Sequence, residues 1–297
     1  MARAKQSYDV RDRTVLITGA ARGIGWESAR RLHARGANVA LVGLEPELLE
    51  ERAAELGPRA AAFPADVTDW DALHRAVDGA VARFGGIDVA IANAGLSAVG
   101  SVMGQEIAGW ERTIEVNLLG VWRTNRVVLP HVVARQGYML NIASLAAIAH
   151  APLMSAYAAS KAGVEAFSDC LRQELEPTGA SVGVAYFGFI DTDLVRDTFD
   201  HPATTYVRSL RKPNPMTTPI PLSAAVDAIE AGVLSRAKHV QAPSWVAGMR
   251  RARGLLDLIP TRFTAGNKAQ IAEMVRLADT AAHPASKIAD KYAKTAD

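Results

Sequence analysis

The feature that most constrains the fold is an alternation of short, β-branched apolar runs with longer stretches of helical periodicity. Six runs predict strands: TVLIT (14–18), NVALVGL (38–44), AAAFPA (60–65), DVAIANAG (88–95), GYMLNIAS (137–144) and SVGVAYF (181–187). Strands that alternate with helices favour a parallel sheet with helices on both faces. Right-handed crossovers then predict a doubly wound α/β fold.

Helical patterns fill the gaps between these strands, at 24–35, 46–56, 70–84 and 110–133 and around Tyr157 and Lys161. Residues 187–222 hold five prolines and are predicted to form an irregular excursion. No strand pattern follows Ala242, and the remaining sequence looks helical. We therefore predict a dinucleotide-binding and catalytic domain over 1–244 and a helical extension over 245–297, packed on the same domain.

The composition argues against several classes of protein. The net charge of +2 is small and the basic residues are dispersed, which does not favour nucleic-acid binding. The only cysteine, Cys170, excludes an intrachain disulfide, suits a reducing cytoplasm, and is predicted to pack within a helix. No apolar run reaches the ~18 residues of a membrane span, and the polar start does not resemble a secretory signal. No metal site is predicted.

A glycine-rich loop, TGAARGIG, follows the first strand directly. Glycine at this turn permits a tight bend and close approach of a pyrophosphate, and the N–H groups of the next helix face the phosphates. The alternative is a turn without a ligand, but the strand–loop–helix context favours a dinucleotide site. The candidate cofactor-binding residues of the loop are Gly19, Arg22, Gly23, Ile24 and Gly25.

Further candidates follow other strands at the same edge of the sheet. Ligands of open α/β sheets bind at the carboxyl ends of the strands. The residues at these ends are Asp66 and Val67 after the third strand, Asn93, Ala94 and Gly95 after the fourth, and Ser144 after the fifth. Each alone is compatible with an ordinary loop residue, and the edge that they share with the glycine loop is what favours a site.

The stretch SAYAASKAG (155–163) places Tyr157 and Lys161 on one helix face. A phenol is a poor base at neutral pH, and a nearby ammonium lowers its pKa. Tyr157 would then exchange a proton with an alcohol or carbonyl, and Ser144 would hydrogen-bond the same oxygen, while a nicotinamide exchanges the hydride. Taken singly, these residues also fit a core ring, a solvated helix face and a loop hydroxyl. Asn117 is unfavourable inside a helix and requires an explanation.

In this order and spacing, TGAARGIG, NAG, IEVN, Ser144 and YAASK resemble the short-chain dehydrogenase/reductase family over residues 10–243. The resemblance implies a Rossmann-type fold with a seven-stranded parallel sheet. It implies a catalytic tetrad of Asn117, Ser144, Tyr157 and Lys161, in which Asn117 holds a water that links Lys161 to solvent and Lys161 also reaches the cofactor ribose. It further implies that Asp66 and Val67 contact the adenine, Asn93 is structural, and Ile190 and Thr192 contact the nicotinamide carboxamide.

Phe187-Gly188 departs from the family, which usually has Pro-Gly here. The departure implies a bulky ring beside the nicotinamide and an altered pocket shape. The chain also continues about fifty residues beyond the usual family end, which implies altered packing of the common tetramer.

The residues that would select the cofactor give conflicting signals. Gly43 stands where NAD-preferring relatives carry Asp, and Leu44 stands where NADP-preferring relatives carry Arg. Arg22 offers a guanidinium for a 2′-phosphate, whereas Glu45 is the competing ligand for the ribose hydroxyls. The balance predicts NADP(H), with NAD(H) as the alternative.

These features predict an oxidoreductase that transfers a hydride between NAD(P)(H) and a small ketone or secondary alcohol. Residues 145–154 and 187–222 are expected to shape the pocket, and their apolar content predicts a hydrophobic substrate. The alternative is a dinucleotide-binding sensor without turnover, although such proteins usually lack the Tyr or the Lys. The expected assembly is a homodimer or homotetramer in the cytoplasm.

An apolar helical stripe in the extension leaves one more alternative open. It consists of Trp245, Met249, Ala252, Leu256 and Ile259, flanked by Arg250, Arg251 and Arg253. Such a stripe is compatible with a lipid-substrate reductase at a membrane surface. The favoured interpretation is a helix that packs over the substrate loop or a neighbouring subunit.

Overall fold

Seven parallel strands form one sheet in a computed structural model that describes residues 7–210, 212–258 and 266–281. The strands are β1 (Thr14–Thr18), β2 (Asn38–Gly43), β3 (Ala60–Pro64), β4 (Val89–Ala92), β5 (Tyr138–Ile142), β6 (Ser181–Phe187) and β7 (His239–Ala242). Their order is β3-β2-β1-β4-β5-β6-β7, and every neighbouring pair is parallel. The six predicted strands are confirmed, and β7 is the seventh that the family resemblance implies.

Helices cover both faces of this sheet. They are α1 (Gly23–Ala34), α2 (Pro46–Leu56), α3 (Trp70–Phe84), α4 (Ile107–Ile114), α5 (Gly120–Ala134), α6 (Ser155–Leu175), α7 (Asp193–Asp200), α8 (Pro202–Ser209), α9 (Leu222–Ser235), α10 (Trp245–Arg251) and α11 (Lys268–Thr280). Buried residues of α1, α2 and α9 pack on one face, and those of α3, α5 and α6 on the other. The predicted doubly wound fold is confirmed.

Strand β1 shows how the sequence builds this core. Val15 and Ile17 pack toward α1, whereas Leu16 between them packs toward α3, because successive side chains of a strand point to opposite faces. All three are fully buried. A strand covered on both faces has no polar side, which is why it reads as an unbroken apolar run.

The helix predicted over 110–133 is longer and less regular than its pattern indicates. It extends from Ile107 to Ala134 and contains a π-helical turn, Glu115–Leu119, between α4 and α5. The N–H of Gly120 donates to the carbonyl oxygen of Glu115, five residues back. Such turns are rare and frequently lie at functional sites, and Asn117 is at the middle of this one.

The prediction of an irregular segment over 187–222 is wrong in part, because it contains α7 and α8. Pro202 occupies the first turn of α8, where the missing N–H costs no helical hydrogen bond. The other four prolines follow the end of α8. Cys170 also differs from its prediction: it is exposed, because the buried face of α6 runs through Val164, Ser168 and Leu171.

The helical extension packs on the rest of the molecule at two places. Val246 of α10 is fully buried, and Trp245 and Met249 pack with it against residues of β6 and α6. Helix α11 packs against α8. The side chain of Leu256 and the residue Ile259, two members of the predicted stripe, lie outside the described residues. In the described part of the chain, no helix is long and apolar enough to cross a membrane.

Candidate active site

The glycine loop lies between β1 and α1, beside the end of β4. Gly19 has a positive φ of 65°, and a Cβ there would approach the Cα of Ala94 to 2.9 Å. A Cβ on Gly25 would meet the carbonyl oxygen of Gly19 at 2.2 Å. Glycine is therefore required at both positions by the close contact of loop, helix and β4.

Gly23 differs, because the space in front of it is open. Its φ is 58°, and a Cβ there would find nothing closer than the Cγ2 atom of Thr192 at 4.0 Å. Gly23 and Ile24 form the start of α1, where free N–H groups point outward. An open concavity at a helix N-terminus fits a pyrophosphate. The residues of the loop are therefore compatible with a bound dinucleotide.

Asn93 and Thr18 hold the two loops together. The amide of Asn93 donates to the carbonyl oxygens of Thr18 and Gly19, at 3.0 and 3.2 Å. The Thr18 hydroxyl accepts the N–H groups of Asn93 and Ala94, at 3.0 and 3.1 Å. Asn93 thus has the structural role that the resemblance implies. Thr18 was missed by the sequence analysis, although it is the first residue of TGAARGIG.

The two residues predicted to compete for the cofactor ribose bind each other. The Nε atom of Arg22 donates to Oε2 of Glu45 at 3.0 Å, and a second bond joins Nη2 to Oε1. The pair lies at the end of β2, beside Gly43, which is buried, and Leu44, which is half-buried. From sequence alone, Arg22 and Glu45 are alternative ligands for the ribose, whereas the fold joins them in one ion pair.

The side chains of Asp66 and Val67, the predicted adenine contacts, bind or pack against other residues of the protein. The Asp66 carboxylate accepts hydrogen bonds from Arg112 at 2.7 Å and from the N–H of Thr68 at 2.8 Å. These bonds outweigh burial and lower the pKa of Asp66. The Val67 side chain is buried against Gly120, where a Cβ would approach it to 2.7 Å. Arg112, missed by sequence reasoning, ties this loop to α4.

The segment after β6 reaches the glycine loop through Thr192, which faces Gly23 and begins α7. Ile190 is buried and forms an isolated parallel bridge with Ile220. The ring of Phe187, expected beside the nicotinamide, is instead buried in the core with Ile190 and Ala242. The alternation of β6 points residue 187 to the face that α1 and α9 cover.

Lys161 and Tyr157 lie on α6 with the ammonium nitrogen 5.7 Å from the centre of the phenol ring. The Nζ atom of Lys161 donates to the carbonyl oxygen of Ile142 at 2.9 Å, and burial lowers the Lys161 pKa to about 8. Burial raises the pKa of Tyr157, and hydrogen bonding with Ser144 opposes this rise. The expected lowering of the Tyr157 pKa by Lys161 is therefore not found. The ammonium is bound to Ile142, and desolvation of the phenol dominates.

Ser144 ends β5 beside this pair. Its hydroxyl accepts the N–H of Ala146 at 3.1 Å and caps the short 3₁₀ turn Leu145–Ala147. A serine hydroxyl donates a single hydrogen bond, and the bond that opposes the rise of the Tyr157 pKa directs that proton toward the phenol oxygen. Ser144 and Tyr157 thus present two hydroxyl groups to one location at the carboxyl edge of the sheet.

Asn117 is fully buried, and its side-chain amide links the π turn to the loop after β4 and to α6. Its Oδ1 atom accepts the N–H of Leu96 at 2.8 Å, and its Nδ2 atom donates to the Leu96 carbonyl oxygen and the Ser160 hydroxyl. A Cβ on Gly95 would lie 3.2 Å from Asn117 Oδ1 and 3.5 Å from Lys161 Nζ. Asn117, Gly95 and Lys161 are thus brought together, although both N–H groups of the Asn117 amide are already bonded.

Comparisons with known proteins agree with this geometry. A family model described as short chain dehydrogenase matches residues 13–203. Nodulation protein G of Rhizobium sp. (strain N33) is 38% identical over 194 residues, which cover 64% of this chain and 79% of that protein. Trans-4-hydroxycyclohexanecarboxylate dehydrogenase of Sinomonas cyclohexanicum is 37% identical over 200 residues, 64% of this chain and 77% of that protein.

Two further similarities widen the comparison. Fatty acyl-CoA reductase of Acinetobacter baylyi is 36% identical over 196 residues, which cover 64% of this chain and 66% of that protein. A short-chain dehydrogenase/reductase of Burkholderia phymatum, solved in complex with NAD, has a TM-score of 0.73 at 20% identity and covers 84% of this chain and 96% of that one. The protein therefore belongs to the short-chain dehydrogenase/reductase family of NAD(P)-dependent oxidoreductases, which act on CH–OH or C=O groups.

Proposed function

We propose that this enzyme interconverts a hydrophobic ketone and its secondary alcohol, with Tyr157 as the acid and base. The observation that carries the proposal is the meeting of Tyr157 and Ser144 next to Lys161, at the sheet edge that also bears the glycine loop. A bound nicotinamide would supply or accept the hydride. The chain's own residues would handle the oxygen of the substrate.

In the reducing direction, Tyr157 would donate its proton to the carbonyl oxygen as the carbonyl carbon becomes C–H. Ser144 would donate a hydrogen bond to the same oxygen and stabilise its developing negative charge. The raised pKa of Tyr157 keeps the phenol protonated for this step. In the oxidising direction, Tyr157 would first release its proton to solvent, and the Lys161 ammonium would stabilise the phenolate. The phenolate would then accept the hydroxyl proton of the alcohol as the hydride leaves its carbon.

The substitution Tyr157→Phe tests this assignment. We expect kcat to fall by about 100- to 10,000-fold, the usual contribution of a positioned acid–base group. The dissociation constant of the reduced coenzyme, measured by fluorescence titration, should stay within about twofold, since the glycine loop is untouched. Tyr8→Phe, which alters a phenol bonded to Arg13 near the start of β1, is the matched control. A Tyr157→Phe enzyme with wild-type turnover would refute the assignment.

A preference for NADP(H) is the second part of the proposal, with NAD(H) as the alternative. Arg22 supports it, because a guanidinium matches a phosphate in geometry and charge. Glu45 opposes it, because its carboxylate already binds Arg22 and would repel a 2′-phosphate. The short-chain dehydrogenase/reductase of Burkholderia phymatum was solved with NAD, which favours the alternative.

Replacing Glu45 by Gln separates these influences. The change removes the opposing charge and should tighten NADPH by about two- to fivefold while NADH changes little, since exposed charge pairs contribute up to about 1 kcal/mol. Glu47→Gln, an exposed carboxylate on the first turn of α2, is the control. Titrations of both reduced coenzymes decide the matter. Tighter NADH binding by the wild type, with an unchanged ratio in Glu45→Gln, would contradict the proposal.

The hydrophobic substrate is supported by the apolar side chains of the two segments that are expected to shape the pocket. Ala147, Ile148 and Leu153 are buried in the segment between Ser144 and Tyr157, and the rings of Phe189 and Phe199 lie 5.0 Å apart. Relatives named for fatty acyl-CoA and hydroxycyclohexanecarboxylate point to similar compounds. A screen of cyclic and long-chain ketones, followed by coenzyme absorbance, would test the class.

We also propose that the protein assembles as a homo-oligomer in the cytoplasm. Exposed Leu119 and Trp122 on the long helix support a homodimer or homotetramer, because exposed apolar patches mark contacts between proteins. The single cysteine supports a cytoplasmic location.

The membrane-surface alternative is not favoured, since Trp245 and Met249 pack against the core. The sensor alternative is not favoured either, since several relatives are named as dehydrogenases or reductases.

A further inference from the structure

The segment 145–154 joins Ser144 to the helix of Tyr157, and the C-terminal extension contacts it near its start. Ala147 and Ile148 belong to a buried cluster with Val246 of α10. Trp245 and Met249 pack onto the same cluster. The beginning of the connecting segment therefore rests on a helix that lies beyond the residues matched by the family model.

The extension also contacts the far end of this segment. Leu153 is buried with Val99, with Ala203 of α8, and with Met274 and Ala278 of α11. Its carbonyl oxygen accepts the N–H of Gly100 at 3.0 Å. Leu153 has a φ of 68°, a left-handed conformation that is unfavourable for leucine and persists only where surrounding contacts impose it. These contacts lie four residues before Tyr157.

A polar contact fixes α11 to the loop after β4. The Ser101 hydroxyl donates to Oδ1 of Asp279 at 2.6 Å and accepts the N–H of Gly104 at 2.9 Å. A Cβ on Gly104 would meet the Asp279 carboxylate at 2.2 Å, so glycine is needed for this approach. Through this contact and the cluster with Leu153 and Ala203, helix α11 is joined to segments that follow β4, β5 and β6.

We propose that α10 and α11 position the substrate side of the active site. By holding both ends of 145–154, they fix the apolar segment that is expected to shape the substrate pocket. The inference rests on the proposed function of the site and adds the element that governs substrate choice. Met274 and Asp279 act through the segment as positioning residues, so their replacement should alter use of the substrate and leave coenzyme binding unchanged.

Met274→Ala tests the apolar contact with acetone, cyclohexanone and methyl nonyl ketone at saturating coenzyme. We expect kcat/KM for the two larger ketones to fall about tenfold and that for acetone to fall less than about twofold, because a displaced pocket segment weakens contacts that only the larger ketones make, and such contacts are worth about tenfold or more. The coenzyme dissociation constant should stay within about twofold. Met274→Leu, which keeps the volume, should restore the preference. Glu273→Gln, on the exposed face of the same helix, is the control.

Asp279→Ala tests the same proposal without opening the core, and it should also lower kcat/KM for the larger ketones more than for acetone. Asp279→Asn keeps an acceptor for the Ser101 hydroxyl and should restore the wild-type ketone preference. An equal loss for all three ketones together with weaker coenzyme binding would show a merely structural role and overturn the proposal. Unchanged ketone preference in both Met274→Ala and Asp279→Ala would also overturn it. Failure of the proposed function is distinguishable, because it appears as normal turnover of Tyr157→Phe whatever the α11 variants do.

Discussion

At the scale of single residues, burial changes the proton affinity of both members of the Tyr157–Lys161 pair. Desolvation disfavours the charged form of each group, so the phenol pKa rises and the ammonium pKa falls to about 8. Lys161 is only 3% exposed, and its hydrogen bond to Ile142 holds it in place. The charge of Lys161 therefore changes within the pH range in which such an enzyme is assayed.

This low pKa predicts a pH dependence of stability. Below about pH 8, Lys161 is protonated in the folded and unfolded states, and the folded state bears the full cost of the buried charge. Between pH 8 and the ordinary value of 10.5, the folded state releases its proton first, so the contribution of Lys161 to stability rises with pH. Relative to that of Lys161→Met, the free energy of unfolding of the wild type should therefore rise by about 1–3 kcal/mol across this window.

Urea denaturation of both proteins at several pH values measures this difference. Lys238→Met, which removes an exposed ammonium, should show almost no pH-dependent difference from wild type and is the control. A stability difference between wild type and Lys161→Met that stays constant through the window would show that Lys161 keeps its ordinary pKa in the folded state.

At the scale of elements, the sequence predicts best what depends on local pattern. Five of the six strands are legible because they are mostly apolar, a result of burial on both faces. Strand β3 lies at the edge of the sheet and is mostly half-buried, and its pattern is weaker. Strand β7, with the sequence HVQA, is half-exposed at alternate positions and too short for a clear pattern, so only the family resemblance implied it. Helices α7 and α8 lie in a segment whose five prolines favour a loop, yet Pro202 fits the first turn of α8 and the other four follow that helix.

The π turn shows why other features cannot be read from sequence. Its Asn117 amide binds both backbone groups of Leu96, twenty-one residues earlier, and the hydroxyl of Ser160. A local pattern carries no information on that partner, so the sequence indicated only that Asn117 was unusual. The ion pairs of Arg22 with Glu45 and of Arg112 with Asp66 are long-range in the same way and became visible only in the fold.

At the scale of the whole molecule, an ionic contact crosses the predicted boundary between residues 244 and 245. Glu165 of α6 is buried and accepts a hydrogen bond from the Tyr186 hydroxyl at 2.8 Å. Arg253, which follows α10, binds both oxygens of the same carboxylate at 2.9 and 2.8 Å. The helix that bears Tyr157 and Lys161 is thus tied to the extension, and we therefore predict that the two unfold as one unit.

Arg253→Met tests that prediction, because it leaves the buried Glu165 carboxylate without its cation. We expect a loss of about 1–3 kcal/mol, less than for a fully buried pair since the Arg253 side chain is 53% exposed. Adding Glu165→Gln should recover most of this loss, because an amide needs no counter-charge. Arg276→Met, which breaks an exposed pair on α11, should cost less than about 1 kcal/mol.

Urea unfolding followed by tryptophan fluorescence and by far-UV circular dichroism distinguishes the possible couplings. If the extension is part of the catalytic domain, both probes should give one coincident transition in every variant, shifted to lower urea in Arg253→Met. An early transition seen by one probe alone would mean that the extension unfolds separately, and the boundary at 244 would then separate two units. Unchanged stability in Arg253→Met would show that the Glu165–Arg253 contact does not couple them.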